Sequence, residues 1–388
     1  MIINALIITV FSLLLLNSFY LFVFALAGSV KPKNKQLMHD QTGVNRFLIL
    51  IPAYKEDEVI IKSVESVMAQ NYKSSLFHCA VIADQLKADT IKNIRLLGAE
   101  AFELPQLKNR NKANAIQYYL NNCTTQFDSC IVLDADNLVE ENLLNQANVY
   151  LNNGIKVIQG RRVAKKENNS LSRLDSISEI INNHIFRKGQ RGLGLSASLI
   201  GSGMILDMKF FESVMKDMNV ISGFDKEMEL RILKLKNTIE YAEEIIIYDE
   251  KVSNGEVYVN QRRRWTYAQL YFLRKNAKNA IIQLFAHANF DYFNKVLQFA
   301  LLPRIITLGL SILFVPVAYL AGSNIFLAAW VILLLIITSF LLALKGAVKL
   351  DELFRLSAKI PFVFYGMLKA IFTSHKASKT FIHTPHSI

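Results

Sequence analysis

Cysteine is scarce in this 388-residue chain: Cys79, Cys123 and Cys130 show neither CxxC nor Cys/His ligand spacing. That excludes a disulfide-stapled scaffold or a structural zinc site, and an odd, unpatterned set suits buried thiols in a reducing compartment. Internal repeats and low-complexity segments are also missing, so the chain is not a repeat array. A formal net charge of +12 raises nucleic acid, anionic lipid or a phosphate-bearing substrate as partners. No zinc-finger or RNP-type aromatic/basic motif occurs, and apolar segments flank the basic region. A lipid surface and a phosphate substrate are therefore expected, and no nucleic acid.

Charge, where it is missing, is missing in blocks. Residues 2–27 and 324–344 contain no Asp, Glu, Lys or Arg, and 299–321 contain only Arg304. A chain that is 52% hydrophobic yet strongly basic is thereby divided into membrane segments and an ordinary globular region between 31 and 296. As a helix the first run spans roughly 39 Å, enough to cross a core of about 30 Å with tilt. Ala25-Leu26-Ala27 resembles a signal-peptidase site, but no basic residue precedes the run, which far exceeds the roughly 7–15 residues of a signal peptide. Lys31, Lys33 and Lys35 follow it, so the positive-inside rule puts the N-terminus outside and the rest in the cytoplasm, at the inner plasma membrane.

The expected organisation is an anchor at 1–30, a cytoplasmic domain at 31–275, an amphipathic interface helix at 276–298, two spans within 299–345, and a C-terminal segment at 346–388. Lys345, Lys349, Arg355 and Lys359 mark a cytoplasmic return. The apolar stretch 361–372 is interfacial or re-entrant, with a fourth crossing as its competitor.

Within the globular region, 47–53, 78–84 and 129–133 read as apolar strands, and 55–70, 109–121 and 225–236 as helices. Alternation of this kind predicts an α/β fold with a mainly parallel sheet flanked by helices. Ligands then bind beyond the carboxyl ends of the strands, where Tyr54, Asp84, Asp134 and Asp136 fall.

Asp134-Ala135-Asp136 is the sharpest signal. In extended backbone residues i and i+2 share a face, so both carboxylates point into one pocket, where a hard cation such as Mg2+ or Mn2+ relieves their repulsion. The competing assignment is a turn or helix N-cap assisted by Asn137. Asp84 is either a turn carboxylate or a hydrogen-bond acceptor for a base or ribose. Lys112 is a solvated helix lysine or the counter-charge of a diphosphate. Gly201-Ser202-Gly203 is a turn or a close approach of backbone to ligand. Asp225 is a helix N-cap or a functional carboxylate. Gln261-Arg262-Arg263-Arg264-Trp265 combines guanidinium forks suited to phosphate with a ring suited to stacking on a sugar or base, against a juxtamembrane cluster on anionic lipid.

In this order the segments resemble the inverting family 2 glycosyltransferases, specifically the membrane-integrated group of cellulose, chitin and hyaluronan synthases. The matching residues are Ile51-Pro52-Ala53-Tyr54-Lys55-Glu56, Asp84, Asp134-Ala135-Asp136, Gly201-Ser202-Gly203, Asp225, and the Q-x-x-R-W pattern at Gln261, Arg264 and Trp265, across roughly 45–275. The resemblance implies a GT-A-like fold. Pro52, Tyr54, Glu56 and Asp84 would hold the nucleoside, most often uridine, and Lys112 would contact the diphosphate. Asp134 and Asp136 would bind donor phosphates, the latter through Mg2+ or Mn2+. Gly201, Ser202 and Gly203 would line the sugar and acceptor pocket, Asp225 would be the general base, and Gln261, Arg264 and Trp265 would clamp pyrophosphate and acceptor.

Phe224 replaces the family's glutamate before the base, and Lys55 replaces the asparagine after the strand-end aromatic. Three confident spans also fall short of the six or so helices that a polymer channel in one chain takes. The expected function is thus hexosyl or N-acetylhexosaminyl transfer from a nucleotide-sugar donor to a lipid-linked or glycan acceptor. Either no polymer is translocated, or a homo-oligomer or separate export partner supplies the pore. A non-catalytic membrane nucleotide sensor or scaffold is the alternative.

Overall fold

The computed structural model describes residues 2–30, 43–105, 111–220 and 222–378. Lys31, Lys33 and Lys35, which carry the orientation expected above, and Arg110 lie outside the described residues.

Eight strands build one sheet: β1 (Phe47–Tyr54), β2 (Phe77–Asp84), β3 (Glu100–Glu103), β4 (Ser129–Val132), β5 (Leu138–Val139), β6 (Val157–Ala164), β7 (Met204–Asp207) and β8 (Glu240–Asp249). Their order is β3-β2-β1-β4-β7-β6-β8-β5. The expected α/β architecture is present, and the sheet is mixed. β1 runs parallel to β2 and β4, β2 to β3 and β6 to β8, while β7 is antiparallel to β4 and β6, and β5 to β8.

Helices cover both faces, which explains why β1 and β2 read as unbroken apolar runs. Successive side chains leave the sheet on opposite sides: Phe47, Ile49 and Ile51 join one core cluster, Leu48 and Leu50 the other. Cys79 and Cys130 are buried among them.

Local starts and stops differ from the sequence reading. The helix expected over 55–70 occupies only Ile60–Met68, because Lys55 adopts left-handed backbone (φ 57°). The next runs Lys112–Asn122, with Asn111 Oδ1 accepting from the Asn114 N–H at 2.9 Å. The interface helix expected at 276–298 is not one helix. Gly255–His287 forms a continuous 33-residue helix, the chain breaks at Ala288 (φ 48°), and Phe290–Ala300 follows. Phe285 is exposed as an interface requires, but Tyr292, Val296 and Phe299 are buried in the core of the globular domain.

Among the described residues three helices are long and apolar enough to cross a membrane: Ile7–Ser29 (part of Ile2–Ser29), Arg304–Ala321 and Ser323–Leu344. Ile360–Phe372 is apolar, but 13 residues rise only about 20 Å, short of a core of about 30 Å. The N-terminal helix also joins the globular part. Asn17 Oδ1 accepts from the Leu302 N–H at 2.7 Å, and the Tyr20 hydroxyl donates to Asn294 Oδ1 at 2.9 Å. At Gly189 a Cβ would sit 2.1 Å from the Phe24 carbonyl oxygen, so only glycine admits this helix contact.

Candidate active site

β1 and β2 end side by side. Tyr54 is in register with Asp84, whose backbone oxygen accepts from the Lys55 N–H at 3.1 Å. Both chains then pass through left-handed backbone at non-glycine residues, Lys55 and Gln85 (φ 57° and 60°). Such positions store strain of order 1–3 kcal/mol and cluster at functional sites. Asparagine adopts this conformation more readily, so Lys55 holds its place at some cost. Pro52, Tyr54, Glu56 and Asp84 all face a cavity of about 450 Å³.

The two central carboxylates reach the same cavity through the turn that was the competing assignment, not from extended backbone. β4 stops at Val132, and Asp134–Asn137 closes a turn in which the Asn137 N–H donates to the Asp134 oxygen at 3.1 Å. The i, i+2 geometry of a strand is therefore absent, yet both side chains line the cavity, Asp136 buried and Asp134 39% exposed.

Lys112 is no solvated lysine. Its Nζ lies 2.5 Å from Asp134 Oδ1 and donates to the Gly201 oxygen at 2.8 Å. The Asp134 N–H donates to Ser202 Oγ at 2.9 Å, and that hydroxyl donates to Asn137 Oδ1. Ser202 and Gly203 are thus structural supports of the turn and line neither this cavity nor its neighbour, whereas Gly201 lines the neighbour. Gly203 (φ 62°) makes room for β8, since a Cβ would meet Ile247 Cγ1 at 2.6 Å.

Asp225 lies on a second cavity of about 500 Å³. It does not cap its helix: Gly223 (φ 79°) takes that position and Asp225 falls in the first turn of Phe224–Lys234. A single wall, formed by Lys112, Asp134, Arg162, Asn182, Arg264 and Trp265, belongs to both cavities.

The long helix Gly255–His287 supplies the rest. Gln261 lines the first cavity, and its Oε1 is buried without a hydrogen-bond partner among the described residues. Burial pulls the Arg264 pKa down from its usual value. The neighbouring arginines are otherwise engaged. Arg262 pairs with Asp175 and lies over the Trp265 ring, 4.3 Å from its centroid, and Arg263 Nε donates to Thr373 Oγ1 at 2.9 Å. One face of Trp265 is therefore covered by a guanidinium.

The profile of glycosyltransferase-like family 2 matches residues 45–268, more than half of the chain. The chain belongs to this family. The mannosyltransferase PcManGT from Pyrobaculum calidifontis, solved in complex with GDP-Man and Mn2+, shares the fold at 13% identity and a TM-score of 0.56, covering 97% of this chain and 99% of that one. S. aureus TarS is 15% identical with a TM-score of 0.43, over 86% of this chain and 55% of that one. No curated protein matches the sequence.

The family 2 domain carries a charged layer in the walls of these cavities that sequence reasoning missed. Glu179 accepts from Arg162 at 2.8 Å and Arg187 at 2.9 Å, and Asp249 pairs with Lys251 at 2.9 Å. Burial pushes the Glu179 carboxyl up, but Arg162, Lys251 and Arg187 outweigh it and hold it well below the usual range. Asp249 is likewise lowered against its own burial by Arg162 and Lys251. Glu229 escaped notice too, although it follows Asp225 by one helical turn. It is buried against Lys295 at 2.6 Å, and burial raises the acid while lowering the amine. The i, i+4 spacing from Asp225 was the available signal.

The donor set fits a hard divalent cation. Asp134 and Asp136 could supply carboxylate oxygens from one turn, and the described residues contain no group of three or more His, Cys, Asp or Glu side chains placed to hold a metal. Such a pair leaves most coordination positions to phosphate and water, the pattern of Mg2+ or Mn2+. Asp134 and Asp136 would hold the ion.

Proposed function

We propose that this protein is a membrane-anchored, metal-dependent inverting glycosyltransferase that moves a sugar from a nucleoside-diphosphate donor to an acceptor hydroxyl. The observation that carries the reading is the shared wall: Asp134 borders both the cavity that Asp136 lines and the cavity that Asp225 lines. A protein of this fold holding GDP-Man and Mn2+ supports the donor class and the metal. Pro52, Tyr54, Glu56 and Asp84 hold the nucleoside at the strand ends, and Lys112 and Arg264 face the diphosphate. Trp265, Gln261 and the Gly201 backbone border the acceptor side.

Asp225 takes the proton of the attacking hydroxyl. The acceptor oxygen bonds to the anomeric carbon as its bond to phosphate breaks, and the nucleoside diphosphate leaves with the electron pair. Displacement from the opposite face inverts the centre. A bound divalent ion supplies charge stabilisation for the leaving group.

In this reading the catalytic domain is cytoplasmic at the plasma membrane and reaches past residue 275, since Tyr292, Val296 and Phe299 belong to its core. Three candidate spans favour an enzyme that does not enclose a polymer channel alone. The test is nucleotide release from a panel of UDP- and GDP-sugars by protein in lipid, with Mg2+ or Mn2+ and with excess chelator. Release with metal, abolished by chelation and by Asp136→Asn, is expected. Full activity in chelator overturns the metal. No turnover of any donor, with intact nucleotide binding, favours the sensor.

A further inference from the structure

A third cavity, of about 460 Å³, lies between the catalytic domain and the membrane helices. Its lining is overwhelmingly aliphatic and aromatic. Leu171 and Ile177 come from the domain helix Ser170–Asn182, Leu308 and Ile337 from the two C-terminal membrane helices, and Leu353 and Met367 from the short helices that follow. Ile337 and Leu341, on a helix long and apolar enough to cross a membrane, are 39% and 45% exposed, so the cavity is open along this helix. At its other end the cavity meets the active site: Trp265 and Asn182 line all three cavities, and Asp175, Ser178 and Arg262 line both this one and the first.

One cation sits in this apolar enclosure without compensation. Arg304, the only charge in residues 299–321, donates from Nη2 to the Ser178 carbonyl at 3.0 Å and hydroxyl at 2.9 Å. It makes no ion pair among the described residues, and its Nη1 is buried without a hydrogen-bond partner there. Other arginines around it have ion-pair partners: Arg262 has Asp175, Arg173 has Glu352, Arg187 has Glu179, and Arg162 has Glu179 and Asp249. A buried guanidinium left unpaired is costly, and in an apolar cavity open along such a helix its natural complement is the anionic headgroup of an amphiphile.

We propose that the acceptor is a lipid-linked saccharide. Its apolar tail occupies the third cavity, its phosphate linkage lies against Arg304 beside Arg262, and its saccharide passes Trp265 toward Asp225. This deepens the transferase reading and rests on it. A soluble glycan acceptor would need neither a dry cavity joined to the site nor an unpaired arginine at the junction. The tail and the charge are recognised separately, which makes the assignment testable with simple probes.

Binding of farnesyl phosphate, farnesol and inorganic phosphate to the full chain in lipid nanodiscs is the experiment, with nucleotide binding measured on the same preparation. Farnesyl phosphate should bind at least about tenfold more tightly than either fragment, since it alone satisfies both the cavity and the charge-assisted bond. Arg304→Gln should bring farnesyl phosphate down to the level of farnesol while leaving farnesol unchanged. Ile337→Trp, which fills the cavity from its exposed rim, should weaken both lipids about equally. Farnesyl phosphate should also compete with a lipid extract as acceptor in the transfer assay, but not with the nucleotide-sugar. Equal affinity for farnesol and farnesyl phosphate, an unchanged preference in Arg304→Gln together with unchanged binding in Ile337→Trp, or efficient transfer only to water-soluble glycans overturns the proposal. Loss of nucleotide binding in the parent, with lipid discrimination intact, overturns the transferase reading instead.

Discussion

Lys112 offers a test in which two affinities must move in opposite directions. Without ligand its ammonium neutralises Asp134, one of the two proposed metal ligands, at 2.5 Å. With donor bound, the proposed role of the same charge is to face the diphosphate. Two unit charges about 4 Å apart interact by about 4 kcal/mol at an effective dielectric of 20, whereas exposed pairs contribute about 0–1 kcal/mol. Lys112 and Asp134 are 23% and 39% exposed, between those limits. A contribution of about 1.5–2 kcal/mol follows, or roughly 10–30-fold in an equilibrium constant.

Lys112→Met should therefore tighten Mn2+ binding to the nucleotide-free protein by about tenfold, because the ion no longer competes with a resident cation. In saturating Mn2+ the same substitution should weaken UDP or GDP binding by about tenfold or more, through loss of a charge-assisted hydrogen bond to phosphate. Lys112→Arg should restore much of the nucleotide affinity. Manganese binding read by electron paramagnetic resonance, and nucleotide binding by calorimetry, report the two effects separately. Unchanged or weaker Mn2+ binding by nucleotide-free Lys112→Met would refute the role of Asp134 as a metal ligand in competition with this lysine.

The remaining expectations concern the base, the charged layer and the membrane orientation. Asp225→Asn should keep nucleotide and metal binding but lower transfer at least about 10²-fold, measured on one preparation; near-normal transfer would point away from Asp225, and Glu227 is a poor substitute because Arg231 and Lys275 already hold it at 3.0 and 3.1 Å. Glu179→Gln leaves Arg162, Arg187 and Lys251 partly uncompensated and should cost about 3–5 kcal/mol, read as a lower melting temperature. Because Glu179 and Asp249 have depressed folded pKa values, their stabilisation is complete above the unfolded carboxylate range near pH 4 and is lost as pH falls below it. Melting scans should thus show a steep acid-side decline in the parent that is shallower in Glu179→Gln. Lys35→Cys should resist an impermeant thiol reagent in intact cells, and labelling as fast as an extracellular control would reverse the proposed orientation.

Much of the site was legible because its residues stand at strand ends. Tyr54 and Asp84 follow apolar runs whose parallel pairing places them side by side, and periodicity alone reveals such runs. The Gln261–Trp265 segment was visible by composition, but its helix was not bounded: nothing local shows that 255 to 287 is continuous or that Ala288 breaks it. Extended backbone and a turn both fitted Asp134–Asp136 in sequence, because the determinant of the turn, the Ser202 hydroxyl, lies 68 residues from Asp134. Arg162, Glu179 and Asp249 were unreadable for the same reason. They come from β6, a later helix and β8, and only the tertiary fold makes them neighbours. Lys295 was assigned to a membrane-interface helix because its amphipathic pattern does not reveal which partner covers the apolar side; the partner is the protein's own core.

The seating of the first membrane helix has a consequence for how such an enzyme meets its acceptors. Asn17 and Tyr20 reach the globular part through side-chain hydrogen bonds, and Gly189 lets backbone touch backbone at Phe24. An anchor fastened in this way is a mount rather than a tether. In the proposed membrane setting it would hold the mouth of the candidate site at one height and one tilt over the bilayer. Encounters with a membrane-borne acceptor then become a planar search, with rotation about the bilayer normal as the main orientational freedom left. Catalysis on such acceptors should respond to bilayer thickness, since a thicker bilayer displaces the mount while leaving every bond inside the site unchanged.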